Sequence, residues 1–159
     1  NEMDDFAAAP GKPNMFGLVQ GEANKVRPGR RMLSSMSPTI AWRATAEGEE
    51  ALALGGRGGS RIPTNTLEVL LNVIADGDPL QTALDRPRLH HQWLPDVVQI
   101  EPDALAPETR EALEALGHRF DVSRATAKVE AVRKLPDGRV EAGTDPRTDA
   151  QGAIVHPEI

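Results

Sequence analysis

The sequence predicts an α+β domain. Strands and helices are mixed without the regular strand–helix–strand alternation of a doubly wound sheet. The apolar pattern changes to a helical period directly after a glycine-rich turn. The chain has 159 residues, 39% apolar and 26% charged, which suffices for one buried core. With three Phe, two Trp and no Tyr, that core must rest on Leu, Val, Ile and Ala.

The first 39 residues read as loop, because Pro10, Gly11, Pro13, Gly17, Gly21, Pro28 and Gly29 interrupt them every few positions. So long an irregular stretch in a compact domain points to function. Ile40 to Thr45, a turn at Glu47-Gly48-Glu49, and Ala51 to Leu54 predict a hairpin. Gly55 to Ser60 follows as a strand-to-helix turn. Leu67, Leu70, Leu71 and Ile74 then recur at i, i+3, i+4 and i+7, with Val69 and Val73 alongside, predicting a buried helix with a broad apolar face that Gly77 ends. Asp78 and Pro79 read as an N-cap and first helical residue of a short helix reaching Asp85 and stopping before Pro87.

Val97 to Glu101 reads as a strand. Pro107 to Leu116 reads as an exposed helix ended by Gly117, with Arg110 and Glu114 as an i, i+4 pair. Lys128 to Leu135, the turn Pro136-Asp137-Gly138, and Arg139 to Gly143 predict a second hairpin. Thr144 to Ile159 is polar and turn-rich, and is expected to be a surface tail. Three regions result: loops over 1–39, sheet and helix layers over 40–143, and the tail over 144–159.

The net charge of -6 disfavours nucleic acid as a partner, since Arg27, Arg30 and Arg31 are the main basic cluster. With no Cys, disulfides and thiolate metal sites are excluded. No stretch approaches the roughly 20 apolar residues of a membrane span. No signal peptide is visible, and any leader or larger N-terminal portion would lie upstream of Asn1.

Four groups of residues could carry chemistry, and each also has an ordinary structural reading. Gly55 to Ser60, ahead of a helix, can turn backbone N–H groups toward an anion or a developing oxyanion, or can serve as a tight turn alone. Asn1 to Phe6 crowds Glu2, Asp4 and Asp5, either as a solvated terminus or as acceptors for an ammonium group. Ser34, Ser35 and Ser37 can satisfy local backbone or donate to a carboxylate. His90 and His91 near Asp96 fit structural hydrogen bonding better than a metal site, because no Cys or third His stands at ligand spacing.

In combination these segments resemble the gamma-glutamyltransferase (glutathione hydrolase) family over nearly the whole chain. The resemblance is carried by Asn1 to Phe6, Pro10-Gly11-Lys12-Pro13-Asn14, Gly21-Glu22-Ala23-Asn24, Leu33-Ser34-Ser35-Met36-Ser37-Pro38-Thr39-Ile40, Gly58-Gly59-Ser60-Arg61-Ile62, Leu70 to Ile74, Pro87 to Asp96, and Asp145-Pro146-Arg147, all in family order. It implies the αββα sandwich of an N-terminal-nucleophile hydrolase, here only in part. It also implies a precursor that cleaves itself to free a nucleophilic Thr. That Thr attacks a gamma-glutamyl amide such as that of glutathione, and the acyl group passes to water or to an amino acid or peptide.

By the same resemblance, Glu2 and Asp5 would hold the substrate α-ammonium, Ser34 and Ser35 its α-carboxylate, and the Gly58 and Gly59 amides the oxyanion. Pro10 to about Gly21 would be a lid, with Phe16 where many bacterial members carry Tyr. No cofactor or metal is implied. The implied partners are the large subunit and the N-terminal part of the small subunit. The favoured compartment is periplasmic or extracellular.

The family's nucleophile would stand about forty residues before Asn1, so the chain alone is expected to be inactive. Gly56-Arg57 also departs from the family, and Arg57 would either add positive field to the turn or face solvent. The competing readings are a non-catalytic gamma-glutamyl-binding module and a related acylase for another acyl group. The acidic pair and both serines argue against the acylase.

Overall fold

The computed structural model describes residues 5–122 and 126–153. A four-stranded sheet runs in the order β1 (Thr39–Thr45), β2 (Gly48–Arg57), β6 (Lys128–Lys134), β7 (Val140–Gly143), every pair antiparallel. A smaller sheet joins β3 (Leu89–His90) antiparallel to β4 (Val98–Ile100), which pairs in parallel with β5 (Phe120–Val122). The helices are α1 (Ile62–Ile74), α2 (Leu80–Asp85) and α3 (Pro107–Ala115). Both expected hairpins and the mixed α+β layering are present. The short strands β3 and β5 carry no pattern long enough to register in the sequence.

The core lies between α1, α2 and one face of the larger sheet. Leu52, Leu54, Val129 and Ala131 point into it and meet Val69, Val73, Leu80, Ala83 and Leu84. The strand alternation sends Ile40, Ala53, Val132 and Ala142, which are in register across all four strands, to the opposite face. On that face Ile40, Trp42 and Val132 are exposed.

Three expectations are corrected. The buried stripe of α1 is Ile62, Asn65, Thr66, Val69 and Val73, whereas Leu67, Leu71 and Ile74 are exposed. The reason is polar as well as apolar. Asn65 Oδ1 accepts the Ala127 N–H at 2.7 Å, and Nδ2 donates to Leu89 O at 3.1 Å and to Glu68 at 2.8 Å. These bonds turn Asn65 inward and the leucines out. Burial in this corner raises the Glu68 pKa, with the bonds from Leu89 and Asn65 opposing it.

Asp78 does not cap α2, whose N-cap position is Pro79. Arg86 claims its carboxylate instead, at 3.1 Å, together with Asp76 and Asn72. A charge-assisted pair outcompetes a cap bond.

The expected surface tail begins inside the protein. Asp145 is 1% exposed and Arg88 1%. Arg88 donates to Asp145 Oδ2 at 2.6 Å, to Ala127 O at 2.8 Å and to Leu84 O at 2.8 Å. Asp145 also accepts the N–H groups of Val129 (2.7 Å) and Arg147 (2.9 Å). Arg147 forks onto Glu101, which accepts further bonds from Thr126 Oγ1 and the Arg88 N–H. Burial by itself would raise Asp145 and Glu101. The surrounding donors and cations outweigh it and hold both carboxyls below their ordinary values.

Two outcomes follow for the intact protein. Arg88→Met removes the buried cation on Asp145 Oδ2, leaving Arg147 on Oδ1, and is expected to cost about 3 kcal/mol in denaturant unfolding. Because Glu101 and Asp145 titrate below 4.5 and 3.8, their contribution is complete above those values. It is lost as pH falls through the lower native values, so the unfolding midpoint should drop on acidification in that range.

Candidate functional site

The loop before β1 is held by Asn24, which is buried inside a short 3₁₀ turn (Glu22–Asn24). Its Nδ2 donates to Asp5 O at 2.7 Å and to Gln20 Oε1 at 2.5 Å, and its Oδ1 accepts the Leu33 N–H at 3.0 Å. The Ala7 N–H donates to Asn24 O at 2.9 Å. One side chain thus ties the acidic segment, the base of the expected lid and the start of the serine run. Asp5 is half-buried, and its Oδ2 is buried without a hydrogen-bond partner among the described residues. Glu2 lies outside the described residues.

The serine run leads to the glycine turn. Ser34 Oγ accepts the Met36 N–H at 3.2 Å, and Ser35 Oγ donates to Gly59 O at 2.8 Å. The turn itself is shorter than the glycine run, because Gly55 and Gly56 belong to β2, where a Cβ at Gly56 would collide with Lys128 O. The chain reverses at Gly58 (φ 145°) and Gly59 (φ 62°) and passes through a 3₁₀ turn (Gly59–Arg61) into α1. A Cβ at Gly58 would stand 2.6 Å from Ala127 Cα, and one at Gly59 would enter the Phe16 ring. Backbone conformation and close approach therefore both require glycine here.

Residues 13–19 fold back on themselves. Asn14 Oδ1 accepts the N–H groups of Phe16 (2.9 Å) and Leu18 (3.0 Å), and Pro13 bridges Val19. Phe16 at the tip lies on Gly59, with the Arg61 guanidinium 5.5 Å from its ring centre. Gly17 rests against Pro95.

The segment after β3 completes the cluster. Gln92 Nε2 donates to Phe16 O at 2.7 Å and Leu94 O at 3.1 Å. Its Oε1 accepts Ser60 Oγ–H at 2.7 Å and lies 3.0 Å from His90 Nε2. This assigns the His90 tautomer: Nε2 carries the proton and Nδ1 accepts from Thr64 Oγ1 at 2.6 Å. Burial lowers the His90 pKa, the Gln92 bond opposes this, and Arg61 and His91 add to the lowering. His91 faces Asp96 at 3.3 Å. Both histidines are engaged in hydrogen bonding within the protein. Arg57 reaches Thr148 Oγ1 at 3.3 Å, an exposed contact on the tail.

Of the residues expected at the site, Asp5, Ser34, Ser35, Gly58, Gly59 and Phe16 are linked through this set of contacts. Asn24, Arg61 and Gln92 were not singled out chemically, although all three lie within the segments that carry the resemblance. In the intact protein, Gly58→Ala should lower stability by about 1–3 kcal/mol through backbone strain. Gly59→Ala should behave similarly, and Phe16→Ala in the same chain should return part of that loss in a thermal-unfolding cycle.

The sequence model of the gamma-glutamyltranspeptidase family matches residues 1–155. The chain is 52% identical over 120 residues to the glutathione hydrolase proenzyme of Pseudomonas sp. (strain A14), covering 76% of this chain and 20% of that protein. It is 43% identical over 148 residues to the glutathione hydrolase proenzyme of Escherichia coli (strain K12), covering 93% and 25%. The crystal structure of a Helicobacter pylori gamma-glutamyltranspeptidase mutant superposes with a TM-score of 0.82 at 40% identity, covering 93% of this chain and 80% of that one. The chain thus spans a quarter or less of the length of these two curated relatives.

Proposed function

This chain belongs to the gamma-glutamyltranspeptidase family, and we propose that it supplies the substrate-binding and oxyanion-binding part of a glutathione hydrolase or gamma-glutamyltransferase. The observation that carries this reading is the buried Asp5 Oδ2, unpartnered among the described residues, on a residue whose backbone oxygen Asn24 ties to the start of the serine run and so to the glycine turn. A buried carboxylate oxygen without a donor is costly unless a ligand completes it. An ammonium group completes it with a charge-assisted bond.

On this reading the glutamyl head group spans the two ends of the cluster. Asp5, with Glu2, takes the α-ammonium, and Ser34 and Ser35 take the α-carboxylate, Ser35 by turning its one hydroxyl proton from Gly59 O to the ligand. The γ-carbonyl then points to the Gly58–Gly59 turn. As the upstream Thr attacks that carbon, negative charge grows on the carbonyl oxygen. Backbone amides beside the start of α1 stabilise it without reorganising, worth about 3 kcal/mol per donor. The acyl-enzyme is then resolved by water or by an amino acid or peptide.

Phe16 covers the turn and excludes water, but its ring cannot donate the hydrogen bond that a Tyr would. The rest of the precursor would cover the sheet face bearing Ile40, Trp42 and Val132, where an apolar row invites a second layer.

The test is Asp5→Ala in the intact protein. Loss of the charged acceptor should lower kcat/KM for a gamma-glutamyl anilide by about 100-fold, mainly through KM. An unchanged value would overturn the assignment.

A further inference from the structure

We propose that Gln92 is the positioning residue that holds the lid onto the glycine turn, and so sets how the acyl group divides between water and an acceptor. The proposal rests on the function given above for the site itself.

The geometry has three parts. First, the Gln92 amide is fully engaged and each of its ends has a separate role. Nε2 grips the main chain of the lid tip at Phe16 O, while Oε1 receives Ser60, the residue directly after the glycine pair. The two groups joined by this side chain are 44 positions apart in sequence (60 − 16). Second, Gln92 cannot be turned over without loss. Its Nε2 lies against two main-chain carbonyls, Phe16 O and Leu94 O, which can only accept. A reversed amide would face two carbonyls with a carbonyl, losing both bonds. Third, the grip is on the backbone of Phe16, so the ring stays seated on Gly59 under Arg61 whatever its own chemistry. A lid whose tip residue has no hydroxyl therefore still has a polar anchor, supplied from the segment after β3.

The consequence is chemical. When the anchor holds, the turn beneath the lid is shielded from bulk water, and an acceptor must enter along the path that the lid leaves open. When it releases, water reaches the acyl-enzyme more freely and the head group is held less firmly.

The experiment compares Gln92→Met and Gln92→Glu in the intact protein. Met removes every polar contact at similar length. Glu keeps acceptors for Ser60 and His90 but turns a carboxylate oxygen on Phe16 O. Both should speed amide exchange over residues 10–21 about five- to ten-fold while leaving Val69 and Val73 in α1 unchanged. Both should raise KM for a gamma-glutamyl anilide about five-fold with kcat within about two-fold, and should shift product from dipeptide transfer toward hydrolysis.

Unchanged exchange in the lid, or a Gln92→Glu lid as protected as wild type, overturns the proposal. So does a uniform rise in exchange across the chain with loss of kcat alone, the signature of a general structural role. If the wild-type protein cleaves no gamma-glutamyl amide, the functional reading fails separately, and the exchange measurement still decides whether Gln92 holds the lid.

Discussion

The buried pairing of Arg88 with Asp145 fixes the frame on which everything else is placed. Arg88 immediately precedes β3, so its position sets where His90 and Gln92 emerge. Its guanidinium also holds Ala127 O, and Ala127 is the surface against which Gly58 turns. The glycine turn and the side chain that anchors the lid are thus referred to one cation. Asp145 closes the arrangement by holding the Val129 N–H, which fixes the start of β6 next to the glycine end of β2.

Burying this many charges is costly, and an ion pair is not in itself a source of stability. The arrangement is tolerable because its members share partners. Arg88, Asp145, Arg147 and Glu101 bond one another as well as backbone groups of α2, β6 and the segments between. An apolar replacement would fill the space but would not specify which carbonyl and which N–H meet. Here those bonds determine where four chain segments cross, and the glycine turn packs against one of them at Ala127. Asn65 acts similarly on a smaller scale. Its side chain, bonded on both sides, selects the face of α1 that is buried and leaves Leu67 and Leu71 outside.

These polar interiors explain what could and could not be read in advance. The hairpins followed from alternation and turn residues, and α1 from its period. The buried face of α1 did not follow, because a hydrophobic period ranks Leu over Asn, whereas hydrogen bonds to Leu89 and Ala127 rank Asn first. The tail was misjudged for the same reason: Asp145-Pro146-Arg147 is as polar as any surface turn, and its partners Arg88 and Glu101 lie more than forty positions away. Asp5, Ser35 and Gly59 were legible as members of a familiar pattern. Asn24 and Gln92 sat in the same pattern unnoticed, since an amide that links two loops has no chemical signature of its own in sequence.

The ends of the site are built differently, and this bears on how it works. The glycine turn is rigid by construction: two adjacent positive φ values, β2 before it and α1 after it. The end proposed to take the ammonium group is loop, with one buried Asn joining Asp5, Gln20 and Leu33. Oxyanion stabilisation requires donors that do not move as charge develops, so it belongs on the rigid end. Recognition of a small zwitterion tolerates a softer cradle, provided that a lid closes over it and the charges it offers are complementary. Lying between them, Phe16 and Gln92 join the soft end to the rigid one. Under the proposed function, head-group binding is thereby transmitted to the place where the reacting carbonyl would sit.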